Sequence, residues 1–105
     1  LNVKTVSPVN NCYRAILAQV NYLDSVCHKS TCLKDIYQDL SELAYYLLEN
    51  DHDRIYRGIE QVKLTVEEIE RGNGKDYDLN QTVCLITAEI RTHLKYLRLQ
   101  YGWEA

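Results

Sequence analysis

The sequence predicts an all-α fold, an antiparallel up-down four-helix bundle, and three observations carry that expectation. Four stretches place apolar residues at alternating intervals of three and four, the spacing that gathers side chains on one face of a helix. Residues suited to helix ends stand at the borders of these stretches. The breaks between them are short, which joins neighbouring helices antiparallel. With 105 residues the chain has room for a single domain around one core.

Residues 1–7 are expected to form an extended lead-in. Ser7 and Pro8 then open the first helix, serine as N-cap and proline at the first helical position, where no amide hydrogen is needed. This helix is expected over about residues 8–27, with Val9, Tyr13, Ile16, Val20, Leu23 and Cys27 facing inward. His28, Lys29 and Ser30 make the first turn. The second helix is expected over about 31–49, with Leu33, Ile36, Leu40, Leu43 and Leu47 inward and Ser30 or Thr31 as its cap.

Asn50 and Asp51 supply the next break and cap, with Asp53 in the first turn, where the helix dipole favours an anion. The third helix is expected over about 52–71, with Ile55, Ile59, Val62, Val66 and Ile69 inward. Gly58 is a mild liability within it. Asp53 with Arg57, and Glu67 with Arg71, stand at the four-residue spacing of favourable ion pairs. Residues 72–77 form the longest loop, opened by Gly72-Asn73-Gly74. Asp78 and Gln81 read as a capping box for the fourth helix. That helix is expected over about 79–101, with Leu79, Val83, Ile86, Ile90, Leu94, Leu97 and Tyr101 inward, and Gly102 ends it.

A hydrophobic fraction of 46% and a charged fraction of 26% fit a globular chain. A net charge of −3 gives no overall attraction to nucleic acid or an anionic membrane. No apolar run approaches the roughly 20 residues that span a bilayer, so no membrane association is expected. The chain starts at Leu1 and contains no methionine, so its natural start is expected to lie upstream. The sequence leaves the compartment open, with cytoplasmic placed ahead of secreted.

Cys12, Cys27, Cys32 and Cys84 match no metal-binding spacing. In an up-down bundle Cys12 lies at the opposite end from the other three, beyond the reach of a disulfide. Cys12, Cys27 and Cys84 read as small apolar fillers, with a Cys27–Cys32 bridge across the first turn as the alternative. His28, His52 and His93 do not converge, and no Glu-x-x-His spacing occurs, so neither a metal nor another cofactor is expected. Asp51-His52-Asp53 reads as helix-start chemistry, and Asn80-Gln81-Thr82 as a chance glycosylation triplet at a helix start. No phosphate loop or nucleophile elbow is present and no small-molecule site is evident, so no enzyme activity is expected.

The fourth helix holds the sequence-level candidates for a binding surface. Beside its inward stripe it carries Leu85, Tyr96, Leu99 and Trp103, a surplus that suggests contact with a protein partner or a second copy in a homodimer. Arg91, Lys95 and Arg98 form a basic stripe on the same helix. The second helix is acidic outside, with Asp35, Asp39, Glu42 and Glu49. The function expected is that of a non-enzymatic interaction module, a regulator, adaptor or inhibitor acting through the fourth helix. The alternatives are a secreted helical signalling or effector protein, and a small nucleic-acid-binding regulator that uses the basic stripe.

Overall fold

The computed structural model describes residues 7–26, 32–71 and 77–103. Four helices follow one another: α1 (Pro8–Val26), α2 (Cys32–Glu49), α3 (His52–Arg71) and α4 (Tyr77–Gln100). The expected lead-in over 1–6, the turn at Cys27 to Thr31 and the loop at 72–76 lie outside the described residues. So do the side chains of Cys32, Asp78, Leu79 and Asn80, and with them the Cys27–Cys32 bridge.

Each helix packs on two neighbours, α1 on α2 and α4, and α3 on α2 and α4. Among the described residues the backbones of α1 and α3, and those of α2 and α4, do not approach one another, so these pairs stand on the diagonals of the bundle. Cross-helix partners run in opposite senses. Tyr37 meets Asn21, Thr65 meets Asp39, and Arg98 meets Glu60. The up-down antiparallel arrangement is therefore the one present.

The core is the set of expected stripes brought face to face. Ile16, Val20 and Leu23 of α1 meet Leu33, Ile36, Leu40 and Leu43 of α2, five aliphatic residues of α3, and Val83, Ile86, Ile90, Leu94 and Leu97 of α4. Val9, Tyr13, Leu47 and Tyr101 close the ends of the same stripes and are only partly buried. Burial of a large aliphatic side chain stabilises by about 1.5–3 kcal/mol, so these ridges are the main source of cohesion. Cys12 is a free thiol packed against the core, and burial raises its pKa, which keeps it protonated and unreactive at neutral pH. Cys84 departs from the expectation of a core filler: its side chain is exposed.

The helix ends follow the capping chemistry closely. Ser7 Oγ accepts from the Asn10 amide at 3.1 Å, three residues on. Asn50 takes a left-handed backbone, φ 52°. Its amide donates to the Leu47 carbonyl and that of Asp51 to the Tyr46 carbonyl, the paired reversal that ends a helix and satisfies its last acceptors. Asp51 then caps α3, with Oδ1 accepting from the Arg54 amide at 3.3 Å. The same reversal recurs at Gly102, φ 79°, where Gly102 and Trp103 donate to the carbonyls of Leu99 and Arg98. One boundary differs. Helix α4 starts at Tyr77, so Asp78 lies within the first turn and not ahead of it. The ion pair at the start of α3 also differs, being Arg54 with Asp51 at 3.5 Å and not Asp53 with Arg57.

Polar ties join α1 to α2, α2 to α3 and α3 to α4. The Tyr13 hydroxyl donates to the Leu40 carbonyl at 2.8 Å, and the Tyr37 hydroxyl to Asn21 Oδ1 at 2.7 Å, across α1 and α2. Between α2 and α3 the buried Thr65 hydroxyl donates to Asp39 Oδ2 at 2.7 Å. Between α3 and α4 the buried Thr87 hydroxyl donates to Glu70 Oε2 at 2.7 Å. Such ties favour one order of helices around the bundle, since a rearranged seam separates each hydroxyl from its carboxylate and leaves it only a carbonyl of its own helix, Gln61 for Thr65 and Cys84 for Thr87.

Asp39 makes one of these seams sensitive to pH. Partial burial raises its pKa, the Thr65 bond lowers it, and the charges of Glu42, Asp35 and Glu68 raise it further. The net shift is upward, so the folded chain holds this proton more tightly than the unfolded one. The resulting stabilisation is complete in acid, below the unfolded pKa, and is lost as pH rises through the raised folded value. Asp39→Asn keeps an acceptor for Thr65 and removes the charge. It is expected to be more stable than wild type at neutral pH, with the advantage fading in acid. Urea midpoints at the two pH values measure this, and a loss of stability at neutral pH would count against it.

Candidate functional site

The outward side of α4 is formed by residues that its own core cannot accept. Inward positions are filled by Val83, Ile86, Ile90, Leu94 and Leu97, and a turn of 100° per residue carries Leu85, Tyr96 and Leu99 to the far side. Leu85 is 71% exposed, Tyr96 48% and Leu99 47%. These three of the expected partner-binding residues share one face. Exposed Lys95 stands beside them.

Trp103 lies elsewhere. The left-handed turn at Gly102 carries it off the axis of α4 and back over the start of α3. Its ring stacks on Tyr101 with centroids 5.0 Å apart. It also meets Tyr56 edge-on at 5.2 Å, and His52 at 6.2 Å. Trp103 therefore covers the end of its own bundle, where paired rings add about 0.5–1.5 kcal/mol beyond their burial.

Arg91 and Arg98 point along the seam with α3. Arg91 pairs with Glu70, whose second contact is the Thr87 hydroxyl on the same oxygen. Arg98 Nη1 donates to Glu60 Oε2 at 2.6 Å, and its guanidinium lies over the Tyr56 ring, 5.1 Å from the centroid. The arginine side chains are 38% and 17% exposed, respectively. Their pairing is partly shielded from solvent, which strengthens the attraction but also costs desolvation of both charges, so the pairs orient the seam more than they stabilise it.

Between these pairs runs a shallow groove of about 100 Å³, lined by Ile59, Glu60 and Lys63 of α3 and Arg91, Leu94, Lys95 and Arg98 of α4. Four cationic side chains and one carboxylate surround it. Among the described residues Lys63 and Lys95 take part in no ion pair. Arg98 Nε is the one buried side-chain donor there without an acceptor. The spacing of Arg91, Lys95 and Arg98 signalled this basic edge, but Lys63 and Glu60 were missed, because their place beside it depends on which helix packs against α4.

A second groove, of about 360 Å³, opens between the start of α1 and the end of α2, lined by Ser7, Val9, Asn10, Ala44, Leu47, Leu48 and Tyr101. Among the described residues its lining holds no ionisable group apart from the Tyr101 phenol. His93 sits at the margin of the core with Glu89 Oε2 at 3.7 Å from Nε2. Among the described residues no group of three or more His, Cys, Asp or Glu is placed to hold a metal ion, and no helix is long and apolar enough to cross a membrane. No protein-family model, curated protein or solved structure matches the chain.

Proposed function

We propose that the protein is a non-enzymatic interaction module, a regulator, adaptor or inhibitor that docks a protein partner on the outer face of α4. The observation that carries this reading is the exposed trio Leu85, Tyr96 and Leu99 on a helix whose inward stripe is already complete. A bundle helix needs one apolar stripe for folding. Apolar area beyond it gains only when a second surface covers it, and leucine and tyrosine left wet forgo about 1.5–3 kcal/mol each.

The geometry argues against pairing basic α4 of one copy with acidic α2 of another. These helices are diagonal, so their outer faces point in opposite directions. Such a contact is head-to-tail and generates a ring or an open chain of molecules rather than a two-fold dimer. Nucleic-acid binding through the basic stripe is weakened by a different observation: Arg91 and Arg98 are already engaged by Glu70 and Glu60.

The test compares wild type with a Leu85→Glu, Leu99→Glu variant, both positions being solvent-facing and tolerant of charge. Proteins retained by wild type and lost by the variant are the expected result, with unchanged helical circular dichroism. A wild-type dimer that the double substitution dissociates in sedimentation would make the partner a second copy. Identical retention and identical sedimentation would overturn the reading.

A further inference from the structure

We propose that the groove between α3 and α4 receives an acidic side chain of a protein partner, and that the partner segment is an acidic amphipathic peptide. This rests on the reading of α4 as the docking face and names the chemistry of what docks there. Local charge is the first ground. Four cations surround one carboxylate in a chain whose net charge is −3, so the groove is a positive focus on a negative molecule.

The second ground is that this charge is incompletely neutralised from within. Glu60 and Glu70 engage the two arginines, while Lys63 and Lys95 have no ion-pair partner among the described residues, and Arg98 Nε is buried without an acceptor. A carboxylate brings the acceptor that the two lysine ammoniums lack, and hydrogen bonds to an ionised acceptor are the stronger kind. Continuity is the third ground. Lys95 of the groove and Leu99 of the exposed stripe are four residues apart and so neighbours on the surface of α4, which lets a peptide with its acid in the groove lay an apolar residue on the stripe. A duplex nucleic acid fits less well. It needs a row of phosphate contacts, and the groove is one small cluster with a glutamate in its wall.

The test pans a display library of random peptides against the full chain, then measures recovered peptides by fluorescence anisotropy. Three proteins are compared: wild type, a Lys63→Glu, Lys95→Glu variant, and the Leu85→Glu, Leu99→Glu variant. The lysines hold no ion pair, so their reversal leaves the α3–α4 seam intact, and a Lys63→Ala, Lys95→Ala variant checks this with a smaller loss in the same direction. Expected are peptides that alternate acidic and apolar residues, bind the lysine variant at least about tenfold more weakly, and weaken as salt rises. Peptides without acidic enrichment, or indifferent to the lysine reversal, overturn the groove. If those still lose affinity for the leucine variant, the docking face survives alone. Indifference to both variants removes both readings. Recovery of no peptide, or lysine-dependent binding of random duplex DNA tighter than that of any peptide, also overturns the groove proposal.

Discussion

Ile90→Ala is expected to destabilise the protein by about 2–5 kcal/mol. Ile90 sits midway along α4 with no solvent exposure, where its helix faces both α1 and α3. Truncation removes three carbons from a site that neighbouring ridges fill only by moving. The loss is therefore the transfer free energy plus the contacts that the remaining void cannot make. Leu85→Ala is the control on the same helix. It is 71% exposed, so its truncation is expected to change stability by no more than about 0.5 kcal/mol. Urea unfolding of the two variants measures the contrast. A loss below half a kilocalorie at Ile90 would show that the inward stripe is misassigned.

Gly58→Val is expected to cost roughly 1–3 kcal/mol, although valine is the better helix former. Gly58 is buried in α3 against α2. A Cβ built there meets Leu43 Cδ1 at 3.1 Å and Tyr46 Cδ2 at 3.5 Å, so a branched side chain forces the two helices apart. Alanine, whose single carbon displaces only the Leu43 methyl, gains about 1 kcal/mol of helix propensity in return and is expected to stay within about 1 kcal/mol of wild type. The mechanism has its own check. In a Leu43→Ala background the penalty of Gly58→Val shrinks, because the obstructing methyl is gone. An unchanged penalty would place the strain elsewhere.

The apolar stripes were legible in the sequence because burial in a helix imposes a short period. Ile55, Ile59, Val62, Val66 and Ile69 announce their face without knowledge of any neighbour. The same local logic found Ser7 as a cap and narrowed the next to Asn50 or Asp51, of which Asp51 holds the role. It did not find Thr65 and Thr87, whose burial depends on carboxylates 26 and 17 residues away. A threonine beside a core stripe has the same sequence signature whether its hydroxyl meets water or Asp39. Gly58 was read as a liability for the same reason: its benefit is room for Leu43, on another helix.

The candidate site shows the boundary sharply. Leu85, Tyr96 and Leu99 were legible as surplus on α4 because the inward positions were already occupied. Trp103 was grouped with them by continuing the helical period past Gly102, and the left-handed turn there sends it onto Tyr101 and Tyr56 instead. Arg91 and Arg98 were visible as a basic stripe, but their partners Glu70 and Glu60 lie on another helix, where spacing within α4 carries no information.

Among the described residues α1 lies closest along α4 and least along α2. In biosynthesis, where the N-terminal part emerges first, α1 leaves the ribosome earliest and is covered last. Until α4 emerges, the ridge of Ile16, Val20 and Leu23 has only the thin α2 seam to shelter it, while α2 and α3 pair as a local hairpin. Closing the bundle means a loop closure across nearly the whole chain, an entropic cost that slows folding relative to local pairings. A permuted chain that begins at α2 and runs from α4 through a linker into α1 makes that contact local. In the native order the α1 ridge stays largely uncovered until α4 is made.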